Sequence, residues 1–339
     1  MTKIKEILQH LESIAPPTYQ ESYDNAGLIV GDKEAEVTGI LTCLDSTEAV
    51  IEEAIAQNCN LVVAHHPIVF RGLKKITGKN YVERVIIKAI QHKIAIYAIH
   101  TNLDNVYYKG VNAKIGEKIG LENTQILAPK AVLKGFIAYT FDDRTLQLYD
   151  ELKAAGVIAL HQQGHRLEGQ FEKGIQSKVV RILEAAEAHS SITDIENKAT
   201  NVGSGLFGTL PEPMSEESFL THLKQAMQLD CIRYTALRRK AIQKVALCGG
   251  AGGFLLKQAI RKKADVFITA DYKYHEFFDA DQNIIIADIG HFESEQFTID
   301  LLAEIISDKF SNFAVRCTSV RTNPIHYWCW SIKSSKQKL

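Results

Sequence analysis

The sequence predicts an α/β fold of two similar lobes that face each other across a cleft, with a small α+β module inserted between them. Two runs of alternating strands and helices support this prediction, at residues 39–99 and 244–318. The third observation is the stretch between the runs, residues 126–198, which interrupts the alternation. Because strand–helix–strand units connect parallel strands, each run predicts a largely parallel sheet.

The first lobe, residues 1–125, begins with an amphipathic helix, because apolar side chains recur at helical spacing over residues 4–11. A polar turn and a short apolar run closed by glycine follow at residues 22–31. Strands and helices then alternate at residues 39–44, 47–57, 61–64, 81–91 and 94–99. This βαβαβ order predicts neighbouring parallel strands.

The second lobe, residues 199–327, repeats the same order of elements. Its predicted elements are a strand at 244–248, a helix at 254–262, a strand at 266–270, a helix at 273–280, a strand at 284–288, a helix from about 293 to 308 and a strand at 314–318. A glycine-rich turn at residues 249–253 joins the first strand to its helix.

The insert carries a strand-like segment at residues 132–138 and a helix-like segment at residues 145–155. We expect it to serve regulation or assembly, because it contains none of the candidate site residues described below. Residues 328–339 form a C-terminal tail, whose polar end, residues 333–338, is predicted to be disordered.

Composition limits the class of partner. The 339 residues are 46% apolar and 23% charged, and the formal net charge of -1 gives no reason to expect a nucleic acid or a membrane surface as partner. No run of about 18 apolar residues predicts a membrane span, and the N-terminus is unlike a signal peptide. Six scattered cysteines without a Cys-x-x-Cys pair predict reduced thiols and a cytoplasmic protein.

Polar side chains follow two neighbouring strands of the first lobe. His65 and His66 come directly after the strand at residues 61–64, and Asp104 follows the strand at 94–99. Open α/β sheets place their ligand sites at the carboxyl ends of such strands. Adjacent histidines diverge, so each imidazole can serve a different metal ion. Taken singly, the histidines also suit a turn cap and a solvated side chain, and Asp104 suits an Asx turn.

His291 and Glu295 follow the strand at residues 284–288 and are four residues apart, which places both on one face of a helix. Alone, such a pair is more often solvent-facing. Three strand ends in two lobes present histidine or carboxylate, however, so the joint pattern predicts a metal-binding cleft. Mixed imidazole and carboxylate ligands suit two divalent ions of zinc, manganese, iron or cobalt. Hydrolysis is the expected chemistry, with Glu295 or Asp104 as the bridging carboxylate.

Asp271 and His275 follow the strand at residues 266–270 and are predicted to act as acid–base groups or as partners of metal-bound imidazoles, although Asp271 equally suits a helix cap. Residues 249–253 suit a phosphate site at a helix N-terminus, or a tight turn, which is the more frequent use of such glycines. The basic loop at residues 71–75 suits anion steering or, more commonly, a solvated surface.

With these residues in view, the chain resembles the GTP cyclohydrolase 1 type 2 homologue family, also called the NGG-one-interacting-factor-three-like family. The matching segments are Tyr23-Asp24-Asn25-Ala26-Gly27-Leu28, Ala64-His65-His66-Pro67, His100-Thr101-Asn102-Leu103-Asp104, Thr269 to His275, and Gly290-His291 through Ser294-Glu295. The resemblance covers residues 1–125 and 200–327. Longer relatives carry a PII-like signalling insertion where this chain carries a shorter insert.

The resemblance implies a two-lobed α/β fold, a dinuclear metal site held by His65, His66, Asp104, His291 and Glu295, and a ring-shaped homohexamer. The expected function is metal-dependent hydrolysis of a nucleotide or another phosphorylated small molecule. A phosphoesterase acting on nucleic acid ranks lower, because the chain is nearly neutral. A non-catalytic metal-binding assembly or adaptor protein is the alternative from another class.

Overall fold

The computed structural model describes residues 2–131, 133–141, 145–195 and 198–328. The tail segment predicted to be disordered, residues 333–338, lies outside the described residues. In the part of the chain that is described, no helix is long and apolar enough to cross a membrane. The described cysteines are all free thiols, namely Cys43, Cys59, Cys231, Cys248 and Cys317.

The first part of the chain forms the predicted alternation of strands and helices. The first helix buries one apolar face, and the next two long helices begin at Thr47 and Asn80, whose side chains accept a hydrogen bond from a first-turn N–H. The elements are α1 (Ile4–Ile14), β1 (Gly27–Val30), β2 (Gly39–Cys43), α2 (Glu48–Ala56), β3 (Leu61–Ala64), α3 (Tyr81–Gln91), β4 (Ala95–Ala98), α4 (Thr101–Asp104) and α5 (Val111–Lys118).

The insert is a complete βαββαβ unit despite its short length. Two long strands, β5 (Glu122–Ala131) and β10 (Lys198–Met214), flank it and pair with each other. Between them lie β6 (Leu133–Tyr139), α6 (Thr145–Ala155), β7 (Ile158–Gln163), β8 (Arg166–Glu172), α7 (Gln176–Ala185) and β9 (His189–Asp194). The sheet order β7-β8-β6-β9 is the ferredoxin-like arrangement, and the two helices cover one face of this sheet around a separate apolar core.

The last part of the chain completes the second sheet and then returns to the first. Its elements are α8 (Glu216–Ala226), β11 (Arg233–Tyr234), β12 (Ile242–Leu247), α9 (Leu256–Arg261), β13 (Val266–Thr269), β14 (Ile285–Asp288), α10 (His291–Glu295), α11 (Thr298–Ser307) and β15 (Ala314–Cys317). The predicted helix at residues 273–280 is a 3-10 helix, Tyr274–Ala280, and the predicted helix from 293 to 308 is two helices.

Two larger sheets carry the lobes, and the α/β class is confirmed. The first has the order β1-β4-β3-β2-β15, and the second has the order β11-β14-β13-β12-β10-β5. Strands β2, β3 and β4 are parallel, as are β12, β13 and β14. The division differs from the predicted lobe limits at both ends, because β5 belongs to the second sheet and β15 pairs in parallel with β2 of the first.

The two sheets share one apolar core. Side chains of β3 and β4, such as Val63 and Tyr97, belong to the same buried cluster as Val245 and Ile268 of the second sheet. Helices α1, α5 and α11 contribute further apolar side chains to this cluster. Because this core joins the two sheets, the carboxyl ends of their parallel strands face one cleft.

Candidate metal centre

The carboxyl ends of three strands bring the five predicted ligands together. His65 and His66 follow β3 directly, Asp104 ends α4 just after β4, and His291 and Glu295 begin and end α10 after β14. In each case, a fully buried strand leads to the polar residues. The strand positions therefore place imidazoles and carboxylates of both lobes on one side of the shared core.

Glu295 lies at the centre of this group. Its Oε2 is 2.9 Å from Nε2 of His66, 3.2 Å from Nε2 of His291 and 3.9 Å from Nε2 of His65. The Glu295 side chain is only 3% exposed. His65, His66 and Glu295 present ligand atoms that all lie within 4.8 Å of one another, which suits a metal ion.

Two buried polar atoms in the same group have no hydrogen-bond partner. Nε2 of His65 and Oδ1 of Asp104 are both buried and unpaired in the described structure, and they lie 3.5 Å from each other. Although the Asp104 side chain as a whole is 23% exposed, its Oδ1 is not. An unsatisfied buried polar atom costs about 1–3 kcal/mol. A divalent cation held by both atoms satisfies them, so these residues fit a metal.

The pKa values of the group describe a site crowded with charge. Burial raises the pKa of Asp104 well above its usual value, and the nearby Glu295 carboxylate raises it further. Burial acts in the same direction on Glu295, but hydrogen bonds from His291 and His66 outweigh it and hold its pKa well below the usual range. Burial lowers the pKa of His65 to about 3, which keeps this imidazole neutral and able to bind a metal.

The other two imidazoles have raised pKa values. Burial alone acts to lower the pKa of His66, but hydrogen bonds to Asp45 and Glu295 raise it to about 9. For His291, hydrogen bonds to Asp271 and Glu295 likewise outweigh burial and raise the pKa to about 11. Metal ions compete with these protons for the ring nitrogens, so metal binding releases protons.

Each of the three imidazoles is oriented by a partner at its Nδ1. The backbone oxygen of Ile99 lies 2.9 Å from Nδ1 of His65, and Asp45 Oδ1 lies 2.8 Å from Nδ1 of His66. In metal sites, such partners fix the tautomer and the orientation of the ring. Asp45 was not among the candidate site residues predicted from the sequence. It follows β2 within two residues, so the strand-end signal that identified the histidines applies to it as well.

Asp271 occupies the corresponding position for the second lobe. Its Oδ2 lies 2.7 Å from Nδ1 of His291, and the hydrogen bond to His291 lowers the pKa of Asp271. Asp271 thus lies at the Nδ1 side of the His291 ring, and its role in the site stays a prediction. The structure does not bring His275 to the cleft: its side chain is exposed, and its ring packs edge-on against Tyr274.

A second histidine arrangement beside the group was missed in the sequence. The side chain of Asp24 is buried and lies 2.7 Å from Nδ1 of His100, and it also accepts hydrogen bonds from the backbone and hydroxyl of Thr101. Burial raises the pKa of Asp24, but these hydrogen bonds outweigh it and lower the pKa to about 2. The His100 ring lines the cleft, with its centroid 5.4 Å from those of His65 and His66.

The glycine-rich turn approaches Glu295 closely, and three of its five backbone N–H groups are engaged within the protein. The N–H groups of Gly249, Gly250 and Gly252 donate to side chains of Asn112, Ser294 and Thr269, respectively. These donors are therefore already used within the protein. The basic loop at residues 71–75 is exposed and does not line the cleft.

The cleft above the ligands has a volume of about 430 Å³, which lies in the range of small-molecule sites. Both sheets contribute to its walls. Three partly exposed aromatic side chains lie on its rim: Tyr23 and Phe70 from the first lobe and Phe254 from the second. The site therefore combines a polar floor with apolar walls that suit a planar group.

The comparison with known families decides where the chain belongs. A model of the Duf34/NIF3 (NGG1p interacting factor 3) family matches residues 2–324. The chain belongs to this family. Among curated members, it is 31% identical to the GTP cyclohydrolase 1 type 2 homolog of Staphylococcus epidermidis, over 96% of this chain and all of the relative. A homolog of the same name from Staphylococcus aureus is 28% identical over the same shares.

Solved structures of Duf34/NIF3 relatives agree with the fold. A Bacillus cereus protein related to NIF3 is 30% identical and superposes with a TM-score of 0.74, over 96% of this chain and 99% of that one. A Staphylococcus aureus protein is 28% identical, with a TM-score of 0.82 over the same shares. The family resemblance read from the five sequence motifs is thus confirmed.

Proposed function

We propose that this Duf34/NIF3 protein holds two divalent metal ions and hydrolyses a nucleotide or another phosphorylated small molecule. The observation that carries the metal proposal is the pair of unpaired buried atoms, Nε2 of His65 and Oδ1 of Asp104. They point at each other beside Glu295, and no described side chain satisfies them. Native proteins rarely retain such atoms unless an ion or an ordered water binds them.

The proposed ligands are His65, His66, Asp104, His291 and Glu295. Glu295 is the better candidate for a bridging carboxylate, since it lies near imidazoles of both lobes whereas Asp104 lies near His65. Mixed nitrogen and oxygen donors favour zinc, manganese, iron or cobalt over magnesium and calcium. Two such ions supply Lewis acidity, which stabilises negative charge on a reacting oxygen.

The surrounding side chains have distinct tasks in this proposal. Asp271 orients the His291 ring through the 2.7 Å contact at Nδ1. Asp24 holds His100 so that its other nitrogen is available to a substrate oxygen or its proton. The aromatic rim formed by Tyr23, Phe70 and Phe254 supports stacking of a planar base. His275 has no role in this proposal, because its side chain does not reach the cleft of its own chain.

We further propose the ring-shaped homohexamer that the family resemblance implies. An exposed aromatic groove on the second lobe, which includes Tyr234, Tyr274 and Phe278, supports an interface between copies at that face. The free thiols of the described cysteines agree with a cytoplasmic location, which stays a prediction. Mass photometry of the purified protein measures the number of copies directly.

The test of the metal proposal is a measurement of metal content. The protein is purified without chelator, and its metals are counted by elemental mass spectrometry beside the variants His65→Ala and Glu295→Ala. We expect about two ions per chain in the wild type and clear depletion in both variants. Turnover of GTP and a panel of phosphoesters is then measured for all three proteins.

Each outcome has a clear consequence. A folded wild type that contains no metal and takes up neither added zinc nor manganese contradicts the proposal. A wild type that binds two ions but turns over none of the substrates contradicts the hydrolase half alone and favours a metal-binding adaptor. In that case, Glu295→Ala is expected to retain the oligomeric state while losing metal.

A further inference from the structure

The segment that follows the last strand makes hydrogen bonds first to the first lobe and then to α10 of the second lobe. We name residues 318–327 the C-terminal strap. Its start is fixed to α2, because the hydroxyl of Thr318 and both the backbone N–H and the hydroxyl of Ser319 donate to Glu53. Without regular secondary structure, the strap depends on such side-chain contacts for its path.

Further along, the strap contacts the carboxylate that orients His66. The hydroxyl of Thr322 donates to Oδ2 of Asp45 over 2.6 Å, while Oδ1 of the same carboxylate lies 2.8 Å from Nδ1 of His66. Asp45 thus has one oxygen for the strap and one for the imidazole. Its orientation, and through it the orientation of the His66 ring, depends on a hydroxyl 277 residues away in the chain.

The next strap residue contacts the helix that carries the ligands of the second lobe. The side-chain amide of Asn323 donates to Oε1 of Glu293 over 2.8 Å, and its oxygen accepts from the N–H of Ile325 over 3.0 Å. Asn323 and Glu293 are both buried, so this hydrogen bond is protected from water. Glu293 lies in α10 between the two proposed ligands, His291 and Glu295.

We propose that Thr322 and Asn323 are positioning residues for the metal centre. Together they fix the distance between His66, a ligand of the first lobe, and α10, the helix that carries two ligands of the second lobe. The two residues are adjacent in sequence, so the distance between their contacts is nearly fixed. One contact orients a ligand of the first lobe, and the other fixes the helix that carries two ligands of the second. This inference rests on the proposed metal binding.

The arrangement of the two sheets explains why the site needs such a constraint. The five proposed ligands come from two sheets, and their relative position otherwise depends on the apolar core below. Apolar packing resists separation but is not directional. Hydrogen bonds are directional, and a site must be held within about 0.5 Å of its productive geometry. The strap adds this directional constraint at the cleft side of the core.

The test is a zinc titration of the metal-stripped full-length protein, with Thr322→Val as the main variant. This substitution retains the shape of the side chain and removes its hydroxyl. We expect about tenfold weaker zinc binding, at the lower end of the range for partners of metal ligands, and a changed visible absorption spectrum of the cobalt-loaded protein. Thr322→Ser restores the hydroxyl, and we expect it to restore both the affinity and the spectrum.

Asn323→Ala is the second variant, and we expect it to weaken zinc binding to a similar extent. Ser319→Ala is the matched control, because it removes a strap hydroxyl that donates to Glu53, remote from the ligands. We expect the control to bind zinc like the wild type. Circular dichroism melts establish that each protein is folded before titration.

Three results overturn the inference. The first is wild-type affinity and spectrum in both Thr322→Val and Asn323→Ala. The second is a failure of Thr322→Ser to restore binding, and the third is an equal loss in Ser319→Ala, which means that the strap acts only as a general anchor. A wild type that takes up neither zinc nor manganese overturns the proposed metal binding together with this inference, whereas variants that match a zinc-binding wild type overturn this inference alone.

Discussion

Gly250 in the glycine-rich turn offers a sharp test of how tightly Glu295 is confined. Its φ of +60° lies in the left-handed region, and a Cβ added there meets Oε1 of Glu295 at 2.5 Å. Ordinary contact begins at 3.4 Å, so Gly250→Ala requires a displacement of about 0.9 Å. The carboxylate cannot retreat freely, because it is buried and lies against His66 and His291.

We therefore expect Gly250→Ala to weaken zinc binding by about 10- to 100-fold, since a displacement of about 1 Å is enough to disturb a site this strongly. It also costs about 1–2 kcal/mol of stability for placing alanine in the left-handed region. Gly164→Ala is the matched control, with a φ of +58° and no atom within 4 Å of the added Cβ. It should incur the backbone cost alone and bind zinc normally.

The assay combines thermal melts with zinc titration against a competing chelator. Equal zinc affinity in wild type and Gly250→Ala would refute the argument that the turn confines Glu295. A comparable loss of affinity in Gly164→Ala would show that backbone strain, transmitted through the fold, is the cause. Either result removes the special role of the close approach.

Three further predictions concern protons and orientation. The pKa values of His66 and His291 are raised to about 9 and 11, so their stabilising contribution is complete below about pH 6.5 and is lost as the pH rises through these values. Melts of metal-stripped protein should therefore show stability falling from pH 7 to 10, and a flat profile contradicts the assignment. Zinc affinity should fall as the pH is lowered from 8 to 6, because protons compete for the same nitrogens, and titrations at several pH values measure this. Asp271→Asn should weaken zinc binding about tenfold, whereas His275→Ala should leave it unchanged, and the reverse order would contradict the placement of these residues.

The elements of both lobes were predictable because their signals are local. A buried strand such as Leu61–Ala64 is a short apolar run bounded by polar residues, and the amphipathic helix Ile4–Ile14 has apolar residues at helical spacing. Each pattern is contained within a short stretch of the chain. The same locality explains why strand ends could be read as site positions, since a polar residue after an apolar run marks the carboxyl end.

Strand pairing was not predictable in the same way. β15 follows the helix of the second lobe in sequence, yet it pairs with β2 of the first sheet, and each register pair, such as Cys317 and Thr42, joins residues 275 positions apart. The residues of β15 do not indicate which strand it pairs with. Long-range pairing is decided by which edge remains open after the other strands have assembled, which is a property of the whole fold.

The residues that orient the imidazoles were predictable only in part. Some carry a local sequence signal, as the strands and helices do, and others depend on long-range pairing. Asp45 follows a strand and so shares the signal of the ligands, but Thr322 has no such signal, since a threonine in an irregular segment is typical of any loop. The contact arises only because β15 returns the chain to the first sheet and directs the strap across both lobes. The return of β15 to the first sheet thus allows the hydrogen bonds that connect the two halves of the proposed metal centre. The zinc affinity of Thr322→Val therefore measures a consequence of topology.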